Sequence, residues 1–381
     1  MFSVRPVAKP GAYEGNSVRL NRRDFARSIG LGGLGMMVAG GPVTAAFAAD
    51  DDADLSFVNP ELRAVAQTFL KYGAAYQISL ETLVQTRKPG DAPQPGFSGD
   101  VPVEEKYIPV TSGVPDVRIY VINAKPGEAR PAIVHMHGGG FVLGTARDSV
   151  ADLQSVAAEL DCTIVTVDYR LAPETRYTGS IEDNYAGLHW TQLHANELGV
   201  DPARIAVMGE SAGGGHAALL AITARDRGEV PVIFQCLVYP MLDDRTASSR
   251  PPSNPNMGRL SWSPASNRFG WQSFLGQTPG TDTVPVAAVP ARTASLAGLP
   301  PAFIGVGSID LFCDEDIAYA QRLIDAGIQT ELLVVPGAFH GFDTVGAKGS
   351  EFPLPGGPPP IAANFTAAKI DALKRAFAGT F

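Results

Sequence analysis

The feature that most constrains this chain is an alternation of short, largely apolar runs with helix-like stretches between about residues 131 and 335. Such runs are typical of strands buried on both faces, and strands separated by helices form parallel sheets covered on both sides. The predicted fold class is therefore α/β, with a mostly parallel sheet and helices on both faces. The six runs are AIVHM (132–136), TIVTVDY (163–169), IAVMG (205–209), VIFQCLVYP (232–240), AFIGVG (302–307) and ELLVV (331–335).

A hairpin predicted from KYIPV (106–110) and VRIYVI (117–122) opens the sheet and brings it to eight strands. Residues 101–381 form the predicted catalytic domain, which a Pro- and Ser-rich insertion at 241–300 interrupts. Upstream, residues 49–100 combine apolar residues at helical spacing, enough for one or two helices, with a Pro/Gly-rich linker. Helix-like spacing within the domain covers 148–160, 180–198, 212–227, 314–327 and about 361–378.

Residues 1–48 have the composition of an export leader. The basic run NRRDFAR (21–27) precedes an uncharged stretch, and AFA ends at Ala48 as a small-residue cleavage signal. The Arg22-Arg23 pair resembles a twin-arginine signal. A membrane anchor is the alternative, but six glycines and a proline between residues 30 and 42 make a poor membrane-spanning helix. We therefore expect a cleaved leader and a periplasmic or secreted protein.

Charge and cysteine content exclude some classes of function. The net charge is −9 over 381 residues and there is no basic stripe beyond the leader, so a nucleic-acid partner is not expected. The three cysteines, Cys162, Cys236 and Cys313, lack metal-binding spacing and are expected to be buried apolar residues.

The sequence GESAG (209–213) fits G-x-S-x-G between a predicted strand and a predicted helix, the context in which a nucleophile elbow forms. Ser211 would occupy a strained turn, and Gly209 and Gly213 would relieve steric crowding there. A glycine-rich helix start without a catalytic role is the alternative. The motif alone is weak evidence for a catalytic serine, so other segments of the sequence must distinguish the two alternatives.

Three further segments follow predicted strands in the order of an α/β-hydrolase. HMHGGGF (135–141) lies where the loop with oxyanion-binding N–H groups is expected, although such a loop can also form a simple turn or anion nest. Asp310 follows one later strand and His340 follows the last. Ser211, Asp310 and His340 thus have the chain order of the hydrolase triad.

Three other acidic residues, Asp314, Glu315 and Asp316, crowd the loop of Asp310. We expect them to lie in the first turn of the next helix, where the helix dipole favours negative charge, with Asp314 and Asp316 facing solvent or capping the turn. His137 is expected to shape the glycine loop through its side-chain hydrogen bonds. The remaining histidines, His135, His189, His194 and His216, are expected to be structural.

Together these motifs, with DYRLAPE (168–174) and YPMLDDRT (239–246), resemble the hormone-sensitive-lipase-like carboxylesterases of the α/β-hydrolase superfamily over about residues 57–345. The resemblance implies an oxyanion hole of Gly139, Gly140 and Ala212 and a helical cap, here residues 57–90 within the segment 49–100. The triad mechanism needs no metal or organic cofactor. Glu210 departs from the aspartate that is usual before the nucleophile. The Pro/Gly-rich stretch 343–361 is longer than expected.

The expected function is hydrolysis of small carboxylic esters through an acyl-enzyme. A deacetylase or an amidase would use the same residues, and a non-catalytic receptor on this fold would lack part of the triad. Phe141, Glu210, Trp262 and Trp271 are candidate pocket residues, with core packing as the alternative for the two tryptophans. The expected partner is a small-molecule ester, with no membrane span after processing; a homodimer is left open.

Overall fold

The computed structural model describes residues 54–72, 77–87, 97–347 and 354–381. The predicted leader at 1–48 lies outside the described residues. So do residues 88–96 of the predicted linker and residues 348–353 of the Pro/Gly-rich stretch.

A single sheet of eight strands, in the order β1-β2-β4-β3-β5-β6-β7-β8, forms the centre of the described part of the chain. The first two strands pair antiparallel, β2 is antiparallel to β4, and every other neighbouring pair is parallel. The predicted mostly parallel eight-stranded sheet is confirmed. The strands are β1 Val103–Ile108, β2 Val117–Ile122, β3 Arg130–Met136, β4 Thr163–Asp168, β5 Val200–Glu210, β6 Phe234–Val238, β7 Ala302–Gly307 and β8 Thr330–Val335.

The helices follow the predicted ranges closely, with one break. The predicted helix 180–198 is divided at His194, whose backbone leaves helical geometry. Of the helices within the described ranges, none combines the length and apolar character needed to cross a membrane. The α-helices are α1 Arg63–Tyr72, α2 Leu80–Thr86, α3 Ala146–Leu160, α4 Tyr177–Leu193, α5 Ala195–Leu198, α6 Ala212–Arg227, α7 Pro264–Leu275, α8 Cys313–Asp325 and α9 Pro360–Phe377.

Alternation along the strands divides the core between the two faces of the sheet. Ile133 and Ile164 belong to an apolar cluster that includes residues of α3 and α9. Their neighbours Val134 and Val165 point the other way, into a cluster with residues of α4, α6 and α8. Because successive side chains of a strand face opposite sides, largely apolar strands need helices on both faces. The predicted helical layers are confirmed.

The parallel strands bring the predicted motifs to one edge of the sheet. Glycine loop 137–143, which we call the oxyanion loop, follows β3, and Ser211 follows β5. Asp310 and His340 follow β7 and β8. In open α/β sheets, ligands bind outside the carboxyl ends of the strands. The fold therefore determines where the candidate site lies.

The N-terminal segment contacts two loops at this same edge. The rings of Phe69 in α1 and Phe339 meet edge to face at 5.4 Å, next to His340. After α2, the Arg87 guanidinium donates to the carbonyl of Val142, at 2.7 Å, and pairs with Glu174. The N-terminal segment thus contacts both the loop that carries His340 and the oxyanion loop.

Candidate active site

Ser211 lies on a sharp turn between β5 and α6. Its φ of +58° is in the left-handed region, where a non-glycine residue costs about 1–3 kcal/mol and the surrounding structure must hold it. The flanking glycines are required sterically. A Cβ on Gly209 would lie 2.3 Å from the Gly213 carbonyl oxygen, and one on Gly213 would lie 2.0 Å from that of Met136. The turn has the geometry of a nucleophile elbow.

Ser211, His340 and Asp310 are joined by hydrogen bonds in that order. The Nε2 atom of His340 lies 2.9 Å from Ser211 Oγ, and its Nδ1 lies 2.8 Å from Asp310 Oδ2. The other carboxylate oxygen of Asp310 accepts from the backbone N–H of Phe312 at 2.9 Å. All three side chains are buried. A nucleophile, a base and an orienting acid are therefore in contact, as acyl transfer requires.

Three backbone N–H groups beside Ser211 are left free to bind an anion. Gly139 and Gly140 adopt φ values of +120° and +59°, and Ala212 is the first residue of α6. Within the described residues, none of their N–H groups donates to a protein acceptor. The N-terminus of a helix also favours negative charge. These are the groups that the sequence predicts for the oxyanion hole.

Comparison with known proteins agrees with this geometry. Residues 133–344 match the family described as the alpha/beta hydrolase fold. The chain belongs to the α/β-hydrolase fold family. It is 35% identical over 333 residues to the carboxylesterase NlhH of Mycobacterium tuberculosis, a match that covers 84% of this chain and 96% of that protein.

Other relatives in this family are also esterases. The ethyl acetate hydrolase of Pseudomonas putida is 31% identical over 228 residues, which are 58% of this chain and 69% of that one. The solved structure of a bacterial heroin esterase superposes with a TM-score of 0.72 at 34% identity, covering 85% of this chain and 99% of that chain. The resemblance to hormone-sensitive-lipase-like carboxylesterases is thereby confirmed.

His137 stabilises the start of the oxyanion loop in this hydrolase. Its Nδ1 lies 2.7 Å from the Gly138 carbonyl oxygen, and its ring stacks on Tyr169 with 4.3 Å between centroids. Burial lowers the pKa of His137 to about 4, so the ring is neutral near pH 7 and Nδ1 donates to the carbonyl. The Tyr169 hydroxyl in turn donates to the carbonyl of His137. The side chain bonds within its own loop, as the sequence predicts.

Glu210, a candidate pocket residue, is tied to the sheet behind the nucleophile. Its carboxylate accepts from Nε2 of His135 at 2.8 Å, and Nδ1 of His135 bonds the Thr166 hydroxyl at 2.9 Å. Burial alone would raise the pKa of Glu210, but its interactions with His135 lower it overall. Glu210 therefore remains an ionised partner of His135, and its role in substrate binding stays a prediction.

Phe141 and Trp271, two of the candidate pocket residues, contact each other and Phe274, and a role in lining the substrate pocket stays a prediction. Both are buried; the Phe141 ring stacks on Phe274 at 4.0 Å and meets Trp271 at 5.0 Å. They pack in a core between the oxyanion loop and α7 because that helix, within the insertion, turns its aromatic face inward. Trp262, the remaining aromatic candidate, lies with its ring against Gly140 and is 3% exposed.

Asp314, Glu315 and Asp316 lie in the first turn of α8, as expected. Of the two predicted to face solvent or cap this turn, only Asp314 is partly exposed, and it accepts from the hydroxyl and N–H of Ser253. Glu315 is buried and accepts from the N–H groups of Leu242 and Asp243. Asp316 is buried, and neither of its carboxylate oxygens has a partner. Burial raises the pKa of both groups well above the ordinary range. Asp316 shares a helix face with the buried Tyr319 and Leu323, a spacing visible in the sequence.

Because Asp316 is buried, we expect the natural protein to lose stability as the pH rises. An aspartate with a raised pKa in the folded state favours folding fully below its unfolded pKa of about 3.9, and this contribution disappears as the pH rises towards the folded pKa. The free energy of unfolding of the natural protein should therefore fall, relative to that of Asp316→Asn, by up to about 1.4 kcal/mol for each pH unit above pH 4. Urea unfolding at pH 5 and pH 8 measures this, and an equal difference at both pH values would contradict it.

Proposed function

We infer that this protein is a serine carboxylesterase that hydrolyses short- to medium-chain carboxylic esters. The observation that carries the inference is the hydrogen-bonded series Asp310–His340–Ser211, which ends beside three N–H groups with no acceptor in the described residues. The esterase relatives support the same reaction class. Acyl transfer needs a serine nucleophile, a histidine base and N–H donors that are free to bind the oxyanion.

The first half of the reaction forms the acyl-enzyme. Ser211 Oγ attacks the ester carbonyl carbon while Nε2 of His340 takes the hydroxyl proton. The carbonyl oxygen becomes an oxyanion and accepts from the N–H groups of Gly139, Gly140 and Ala212. The imidazolium of His340, stabilised by Asp310, then gives its proton to the leaving alkoxide, and the C–O bond to the alcohol breaks.

The second half repeats these steps with water. His340 takes a proton from a water molecule as the water attacks the acyl carbon, and a second oxyanion forms at the same N–H groups. When this intermediate collapses, the bond to Ser211 Oγ breaks and the proton returns to the serine. The carboxylic acid leaves and the enzyme is restored. Every proton is carried by His340, so the sequence of steps is complete with these residues.

Apolar packing around the site is the basis for expecting a preference for short acyl chains. Side chains of the proposed cap, the oxyanion loop, the insertion and the acid loop form one buried apolar cluster that includes Ala212. Ile78, Leu83, Trp262, Phe274, Leu311 and Phe312 are among its other members. We expect kcat/KM for p-nitrophenyl esters to be highest between C2 and about C8 and to fall steeply for longer chains. A maximum at C12 or beyond, or a preference for emulsified triglycerides, would contradict this.

The two alternative activities are tested in the same panel. An acetylated sugar and a p-nitroanilide, measured beside the esters, report on deacetylase and amidase activity. We expect turnover of both to be slower than that of p-nitrophenyl acetate. A faster anilide would move the assignment to an amidase, and a faster sugar acetate would move it to a deacetylase.

We also propose export by the twin-arginine route, on the basis of the leader alone. The Arg22-Arg23 pair, the uncharged stretch and the AFA signal support it. Replacing both arginines with lysine should leave full-length precursor in the cytoplasm, and mass spectrometry of the exported protein should find an N-terminus near Ala49. Unchanged export of the double variant would contradict the route, and a retained leader would favour the membrane anchor.

A further inference from the structure

The oxyanion loop adopts a conformation that it cannot hold by itself. Gly139, Gly140 and Phe141 are successive residues with positive φ, at +120°, +59° and +67°. Phe141 is not a glycine, and left-handed backbone at such a residue persists only when neighbouring structure imposes it. The donors of Gly139 and Gly140 therefore owe their direction to whatever packs against this loop.

The insertion packs against Gly140 from two directions. The Trp262 ring lies so close that a Cβ on Gly140 would be 2.2 Å from its outer edge. Gly270, in the interior of α7, approaches the carbonyl of Gly140, and a Cβ on Gly270 would lie 2.6 Å from that oxygen. Gly140 is thus enclosed between an indole ring and a helix backbone.

The Trp262 ring is itself fixed by a buried amide. Its indole N–H donates to Oδ1 of Asn267 at 3.2 Å, and Nδ2 of Asn267 donates to the Thr246 carbonyl at 2.9 Å. Asn267 has no exposed surface. Its two hydrogen bonds join the beginning of the insertion to α7 and hold the ring against Gly140.

We propose that the insertion positions the oxyanion hole, with Gly270 and Trp262 as the positioning residues that act through Gly140. The inference rests on the proposed esterase function and deepens it. Displacing Gly140 turns its N–H away from the point where the oxyanion forms. A donor of this kind contributes much more in the transition state than in the ground state, so the loss should appear in kcat and leave KM almost unchanged.

Gly270→Ala tests the proposal by steric displacement. Losing one oxyanion donor costs about 100- to 1000-fold in kcat, and a displaced donor should cost less, about 10- to 100-fold. KM for p-nitrophenyl butyrate should stay within about threefold. A trifluoromethyl ketone, whose adduct with Ser211 Oγ places an oxyanion in the hole, should bind more weakly by about the same factor as kcat/KM falls.

Gly187→Ala is the matched control. Gly187 also lies inside a helix, α4, and a Cβ there would be 2.5 Å from a Val167 methyl group, so the clash distance is similar although the atom it meets belongs to a side chain. It has no contact with the oxyanion loop, so we expect a lower melting temperature with kcat and ketone affinity unchanged. If this variant loses both to the same degree as Gly270→Ala, general loosening explains the effect and the proposal fails.

Trp262→Phe tests the same positioning by removal of the ring edge and its N–H. It should lower kcat and ketone affinity together, in the same direction as Gly270→Ala although the steric change is opposite. Unchanged kcat in both folded variants would overturn the proposal. Failure of the proposed function is distinguishable, because the natural protein would then neither hydrolyse the ester nor bind the ketone.

Discussion

Replacing Ser211 with alanine is expected to lower kcat for p-nitrophenyl esters by about a millionfold. Ser211 Oγ is the atom in contact with Nε2 of His340, at 2.9 Å, and without it no acyl-enzyme can form. The slow reaction that remains would come from the oxyanion donors and substrate binding alone. Steady-state and single-turnover kinetics measure the loss.

Covalent labelling shows whether Ser211 is the nucleophile. A fluorophosphonate should modify the natural protein at Ser211, located by peptide mass spectrometry, and should leave Ser211→Ala unmodified. Ser155→Ala, at an exposed serine of α3, should be labelled and active like the natural protein. Labelling of Ser211→Ala at another residue, or activity near the natural level, would end the assignment.

Replacing Asp310 with asparagine is expected to lower kcat by about 1000- to 10,000-fold, for a reason that the hydrogen bonds make specific. The Phe312 N–H must keep an oxygen acceptor, at 2.9 Å, so the amide oxygen takes that place. The amide nitrogen then faces Nδ1 of His340 and donates to it. This selects the tautomer with the proton on Nε2, which cannot accept the proton of Ser211.

Asp314→Asn is the control for Asp310→Asn on the same loop. The carboxylate of Asp314 bonds the hydroxyl and N–H of Ser253 and has no contact with His340, so kcat should fall by less than about tenfold. Melting temperatures of both variants separate unfolding from lost chemistry. A folded and nearly fully active Asp310→Asn would move the role of the acid to another carboxylate.

Much of the candidate site could be predicted because its parts are local in sequence. The elbow needs glycines on both sides of Ser211, since a Cβ at either position would collide with a backbone carbonyl within 2.3 Å. Such steric requirements can be recognised in the sequence as glycines at fixed positions. Parallel strands then place all of their carboxyl ends at one edge, so Ser211, Asp310 and His340 could be expected to meet although 129 and 30 residues separate the bonded pairs.

The insertion was far less predictable, because its side chains have no regular periodicity to indicate their direction. Trp262 and Trp271 lie nine residues apart in one aromatic stretch, yet one ring covers Gly140 and the other is enclosed in the core with Phe141. Either arrangement buries a similar apolar surface, so composition cannot distinguish them. The path of the insertion's backbone relative to the oxyanion loop decides which ring covers Gly140.

By itself, the sequence determined the α/β class, the mostly parallel sheet, and the identity of nucleophile, base and acid, because each depends on short-range periodicity or on glycines beside a strand end. Only the tertiary structure decided which carboxylates are buried and what holds the oxyanion loop. Asp316 and Asp314 stand two residues apart, yet one is buried without a partner and the other bonds Ser253. Such differences arise from contacts between segments distant in the chain, which no local pattern encodes.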